Sequence, residues 1–299
     1  NKAHAVSYAV VAYQTAWFKC HHPKEYMAAL LTSVLDNSDK VAGYIAECRD
    51  CGIALLPPDI NHSYDGFTVE EGGIRFGLAA VKNIGRGFIQ SVVRERKEGP
   101  FTSLRDFCTR MAGGDLNKRA MENLIRSGAF DSLGARRSQL CKVYETVMDS
   151  IAESRRQNVE GQMDFFSMGA LGGGEEKKPP QRDILPDIPE FTPQERMRME
   201  KETTGLYLSG HPMDAYRDQI LRLGAVSIGY LLKETGQEGS GKFQDGQRLT
   251  VCGVVSSSKT KTTKNNTLMA YVTVEDDTGS IELLCFSRTL EQSGAYLKE

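Results

Sequence analysis

The sequence predicts a multidomain α+β protein, and three observations carry that prediction. Apolar residues recur at helical spacing through most of the first 155 positions. The composition then shifts to a glycine- and proline-rich stretch at 156–192. From residue 248 the apolar period drops to two, the spacing of strands.

Residues 1–52 predict helices. "AVSYAVVAYQTAWFK" is long and apolar. Pro23 suits a first helical position and opens "KEYMAALLTSVL". Ser38 is placed to cap "DKVAGYIAECRDC", and Gly52 to end it. Val41, Tyr44, Ile45 and Cys48 then follow the i, i+3, i+4, i+7 pattern of one buried stripe. "LLPPDIN" (55–61) reads as an extended connector, because residues before proline avoid the helical region. "DGFTVEEGGIRFGL" (65–78) reads as a β-hairpin. Phe67 and Val69 lie on one side, Ile74 and Phe76 on the other, and Gly72-Gly73 make the turn. Helices resume to about 155.

The segment 156–192 reads as a linker. Thr192-Pro193-Gln194-Glu195 matches a capping box, so a helix runs to about Thr204 with Gly205 as its stop. "RLTVCGVVS", "LMAYVTVED" and "SIELLCFS" are strand candidates, with "DDTG" as a turn. "SSSKTKTTKNN" (256–266) reads as a long basic loop between the first two.

With 299 residues, 40% apolar and 25% charged, the chain has an ordinary globular composition and room for two or three domains. A net charge of −2 excludes a polycation, so any nucleic-acid contact must come from local clusters. No apolar run approaches a membrane span, and the start shows no signal peptide, so no membrane partner is expected. Seven cysteines without framework spacing fit reduced thiols and a cytoplasmic location. The absence of an initial Met and the stop within a strand-rich region mark the sequence as an excerpt of a longer protein. Cys48-Arg-Asp-Cys51, with His21-His22 upstream, is half of a zinc pattern, but no second pair follows. Both thiols, with Cys51 extending the apolar stripe, read as core residues, and no metal is expected.

Two stretches suggest DNA contacts. In "LAAVKNIGRGFIQSVVRER" (78–96) an apolar helix ends at Asn83-Ile84-Gly85 and a second begins near Gly87. The pattern resembles a helix-hairpin-helix element, in which a Gly-hydrophobic-Gly turn offers backbone N–H groups to a phosphate. Asn83 stands in the first glycine position, and asparagine tolerates left-handed geometry. Lys82, Ile84, Gly85, Arg86 and Gly87 complete the candidate grip. Arg75 to Glu98 carries six basic and two acidic residues. "LNKRAMENLIRSGAFDSLG" (116–134) is a second candidate, with Lys118, Arg119 and Arg126. A plain α-hairpin with a solvated basic face is the alternative. The three strands are compatible with part of an OB-fold barrel that holds single-stranded DNA. Lys259, Lys261 and Lys264 would lie on its first loop, with Tyr271 and Phe286 as stacking faces. A β-rich structural domain with a solvated loop is the alternative there.

"NKAHAVSYAVVAYQTAWFKCHHPKEYMAALLTS", "IRFGLAAVKNIG", "PFTSLRDFC", "LIRSGAFDSLG", "GQMDFF", "LYLSGHPMDAY" and "VTVEDDTGSIELLCF" occur in this order. Together they resemble the family C replicative DNA polymerases of bacteria, the DNA polymerase III alpha subunits. The resemblance covers nearly the whole chain. It implies the C-terminal part of the fingers at 1–62 and a β-hairpin with tandem helix-hairpin-helix at 63–155. A linker follows at 156–192, a helical connector at 193–240 and an incomplete OB-fold at 241–299. It also implies a DNA-directed DNA polymerase whose catalytic palm aspartates, with their Mg2+, lie outside this chain, so the chain alone is expected inactive and without a cofactor. Lys2 and His4 would lie near the incoming nucleotide. Gln162, Met163, Asp164, Phe165 and Phe166 would form a sliding-clamp-binding motif, with Met163 and Phe165 in positions that the family fills with leucine. Primer-template DNA, the clamp and other replisome subunits are the implied partners. A non-catalytic clamp-binding repair or replication scaffold is the alternative reading.

Overall fold

A computed structural model describes residues 2–35, 37–113, 116–159, 184–235, 242–263 and 266–297. The chain forms two compact units, residues 1–41 with 51–209 and residues 42–50 with 210–299.

In the first unit, α1 (Lys2–His21) is apolar on all sides, and Val6, Tyr8, Tyr13, Trp17 and Phe18 stay exposed. Pro23 opens α2 (Pro23–Ser33), which buries Met27, Ala28 and Leu31. α3 (Ser38–Asp50), whose residues 42–50 belong to the second unit, buries Val41, Ile45 and Cys48 of the expected stripe and half-buries Tyr44. The Asn37 Oδ1 accepts from the Lys40 N–H at 3.1 Å at its start, while the side chain of the expected cap, Ser38, lies outside what the structure describes. Asn37 sits one residue outside the helix, where its carbonyl oxygen can reach a first-turn N–H. Cys51 lies past the helix end and is exposed, so the two thiols do not share one buried stripe. Among the described residues no cluster of three or more His, Cys, Asp or Glu side chains could hold a metal ion.

A small sheet follows, with β3 (Gly73–Arg75) central, antiparallel to β2 (Thr68–Glu70) and parallel to β1 (Leu55–Leu56). β1 falls in the expected connector; two residues are too short a run to show a pattern. The turn is Glu71-Gly72, and Gly73 already belongs to β3. Its φ of 149° and the nearby Ala54 carbonyl leave no room for a Cβ. Val69 stands directly opposite Ile74, which puts the two on one face rather than on opposite sides. Phe67 and Phe76 meet edge-to-face at 4.9 Å.

The main core lies among α4 (Arg86–Glu95), α5 (Leu104–Met111), α6 (Lys118–Arg126) and α7 (Arg137–Val159). Phe88, Phe101 and Phe130 surround Phe107. The apolar helix expected before Asn83 is a single 3-10 turn, Leu78–Ala80. Capping follows the sequence in α8 (Pro193–Thr204): the Thr192–Glu195 box is formed, and Gly205 is left-handed. Residues 184–192, the described end of the expected linker, are anchored to α7. Glu190 accepts from the N–H groups of Arg137 and Ser138 at 2.9 and 3.0 Å, and so caps α7. Burial opposes its charge, but a bond from the Phe191 N–H at 2.8 Å together with these two holds its carboxyl below the usual range. Gln139 also reaches the Pro186 carbonyl, at 2.7 Å.

The second unit contains α9 (Arg217–Leu223), α10 (Ile228–Thr235) and an antiparallel meander β4-β5-β6 followed by α11 (Ser287–Ser293). β5 (Leu268–Glu275) is central, buries Ala270, Val272 and Val274, and pairs with β6 (Ser280–Cys285). β4 spans Val254–Thr262, so it starts six residues later than the expected strand and takes up most of the expected basic loop.

Candidate nucleic-acid interface

The hairpin before α4 is the most developed candidate. Lys82 and Asn83 form a turn in which Asn83 takes φ 63°, the left-handed region. Ile84 and Gly85 then lead into α4, with Gly85, extended, as N-cap. Gly85 supplies no side chain, so the first-turn N–H groups of α4 have no side-chain cap. A free helix N-terminus concentrates partial positive charge and unused donors. Gly85, Arg86 and Gly87 are exposed, and the space a Cβ would fill at Gly85 is open. Backbone can therefore approach a phosphate closely at this point.

The hairpin is fixed from outside. The Lys82 N–H donates to the Thr203 carbonyl at 2.8 Å, at the end of α8. Its Nζ donates to the Glu202 carbonyl at 2.8 Å. The Asn123 Nδ2, from buried α6, donates to the Lys82 carbonyl at 2.6 Å. Lys82 thus has a structural role as well as a charge.

The second candidate differs. Asn117 caps α6 by accepting from the Ala120 N–H at 2.9 Å, so one of its first-turn donors is already satisfied. Lys118 Nζ lies 2.9 Å from Asp149 and 3.8 Å from Glu145. Asp149 raises its pKa through a hydrogen bond, on an exposed surface. Arg126 pairs with Glu122 and with Glu202. Arg119 is exposed. The first hairpin offers open N–H groups, whereas two of the second's three cations, Lys118 and Arg126, already face carboxylates.

In the second unit, Lys259 stands opposite Tyr271, and Tyr271 opposite Leu284. Cross-strand partners share a face, so Lys259, Tyr271 and Leu284 form one row, with Lys261 two residues along on the same side. Lys259 and Lys261 belong to β4 rather than to a loop, because threonine and serine at alternate positions support a strand at a solvated edge. Phe286 is 63% exposed, just past β6. Lys264 and the Gln162–Phe166 motif lie outside the described residues. Lys2 and His4 are both exposed on α1. At 100° per residue they point to roughly opposite sides of the helix, and His4 stacks edge-on against Tyr8 at 4.5 Å.

Asn123, Glu200, Glu202 and Thr203 escape a motif search. The one sequence signal is Asn123 itself, a polar residue on the apolar stripe of "MENLIR".

Residues 52–140 match the helix-hairpin-helix motif family. Over its full length the chain is 39% identical to the DNA polymerase III subunit alpha of Saccharopolyspora erythraea and 35% identical to that of Vibrio cholerae. It is 36% identical over 98% of its length to that of Deinococcus radiodurans. The chain spans 25%, 25% and 21% of these relatives' own lengths. From end to end, the chain is homologous to about a quarter of the DNA polymerase III alpha subunit.

Proposed function

We propose that this chain holds and tethers DNA for a replicative DNA-directed DNA polymerase. The observation that carries the reading is the uncapped N-terminus of α4 behind the Lys82–Gly85 turn, within the helix-hairpin-helix match. Duplex DNA binds there through its phosphates, without base readout, with Arg86 beside the open N–H groups. The β4–β6 meander acts as part of an OB-fold and holds single-stranded template on the row of Lys259, Tyr271 and Leu284. Residues 162–166 bind the sliding clamp, and tethering raises the effective concentration of primer end. Template-directed dNMP addition with Mg2+ belongs to polymerase residues outside this chain, so the chain alone does not extend a primer. Lys2 and His4 approach the incoming nucleotide in the whole polymerase. Other replisome subunits are met through that whole protein.

The test is duplex binding by the 299-residue chain over a range of salt. A phosphate grip gives an affinity that falls log-linearly with salt and ignores sequence. Arg86→Ala should weaken binding to every duplex alike and lower the salt slope by about one. Sequence-selective binding, or none at low salt, overturns the reading.

A further inference from the structure

We infer that Asn123 is a positioning residue for the phosphate-binding hairpin, an inference that rests on the DNA-holding reading above. The turn is one residue short of its usual glycine content, because Asn83 holds a left-handed φ of 63°. Only glycine adopts that region without steric cost; asparagine there is tolerated when its surroundings fix it. Those surroundings are three hydrogen bonds on the residue just before it. Thr203 accepts the Lys82 N–H, the Glu202 carbonyl accepts its Nζ, and the Asn123 Nδ2 donates to its carbonyl.

The last bond is the short one, 2.6 Å, and it comes from a buried side chain. The peptide group whose oxygen it holds is the one that joins Lys82 to Asn83. Its orientation sets the direction in which the chain leaves toward Ile84 and Gly85, and hence where the N–H groups of Arg86 and Gly87 point. Asn123 lies on α6, between the buried Met121 and Leu124. An apolar residue would fill that position at lower desolvation cost, and an asparagine there is explained by the carbonyl it holds. Phosphate recognition depends on donor direction, so Asn123 acts on DNA through the hairpin without touching it.

The experiment uses the 299-residue chain with Asn123→Ala and, as a milder change, Asn123→Ser. Duplex affinity is read against salt, alone and combined with Arg86→Ala. The expected result is roughly tenfold weaker binding and a salt slope lower by about one to two contacts. In the Asn123 variants Arg86→Ala should cost much less than in the parent, because both changes remove one grip. In the unaltered chain, the Asn123 side-chain amide resonance should shift with the amides of Gly85, Arg86 and Gly87 as duplex is added. This readout needs no variant to fold. Parent affinity and slope in a folded variant, with additive Arg86→Ala effects, overturn the role of Asn123. An Asn123 amide that stays still while the hairpin amides shift does so too. A parent chain that binds no duplex overturns the DNA-holding reading instead.

Discussion

Replacing Glu200 should destabilise the first unit more than any surface change. Its carboxylate is fully buried and accepts from Arg137 Nη1, the Leu208 and Ser209 N–H groups and the Ser209 hydroxyl, at 2.9–3.0 Å. Arg137 is only 4% exposed and also holds Asp131 and the Arg126 carbonyl. Burial opposes its charge, yet Asp131 and Glu200 together keep its guanidinium charged more firmly than usual. Glu200→Ala leaves that charge short of a partner and strips the acceptor from two backbone donors. Removing one member of a buried pair costs about 3–5 kcal/mol. At about 2–4 °C per kcal/mol for a unit of this size, the melting point should fall by roughly 10 °C. Glu200→Gln keeps an acceptor oxygen but loses the charge, and should cost about 1.5–3 kcal/mol. Calorimetry on the chain gives both values. A fall under about 3 °C for Glu200→Ala would show that water or local relaxation replaces the network, and would refute the reasoning. The effect should hold in high salt, because buried pairs are little screened.

Three further outcomes follow from the geometry. His211 is buried, its Nδ1 accepts from the Met213 N–H, and burial lowers its pKa despite the opposing charges of Asp277, Glu275 and Asp214. The folded state therefore resists protonation, so stability of the second unit should be full above pH ~6.5 and decline as pH falls below it. His211→Gln should flatten that decline in urea titrations between pH 7.5 and 5.5. Gly73→Ala should destabilise the small sheet by at least about 2 kcal/mol, since the new Cβ meets the Ala54 carbonyl at φ 149°; an unchanged melting point would count against that strain. Glu202→Gln should free Arg126 from one of its two carboxylates and tighten duplex binding a few-fold at low salt, measured by anisotropy.

Local chemistry made much of the fold legible. Pro23, the Thr192–Glu195 box and Gly205 mark helix ends because caps act within a turn of chain. The α3 stripe was legible because burial imposes its period. β4 was not, because an edge strand with lysines facing water has the composition of a loop. Nor was the cap on α7, where the donors and Glu190 are more than fifty residues apart in sequence. The hairpin's glycines were visible, but its supports were not. Thr203 contributes a backbone carbonyl, which any residue type has, and Asn123 is one polar letter in an apolar helix.

The Glu190 cap also brings the chain back to the helix it left. It ties the returning chain to the start of α7, while the outgoing chain leaves from the far end of that helix. α7 is core-bound as far as Ile151, and Ala152–Arg156 stand in solvent. Its 23 residues make a rod about 35 Å long. Glu190 therefore fixes where the chain re-enters the first unit, one helix length from where it leaves.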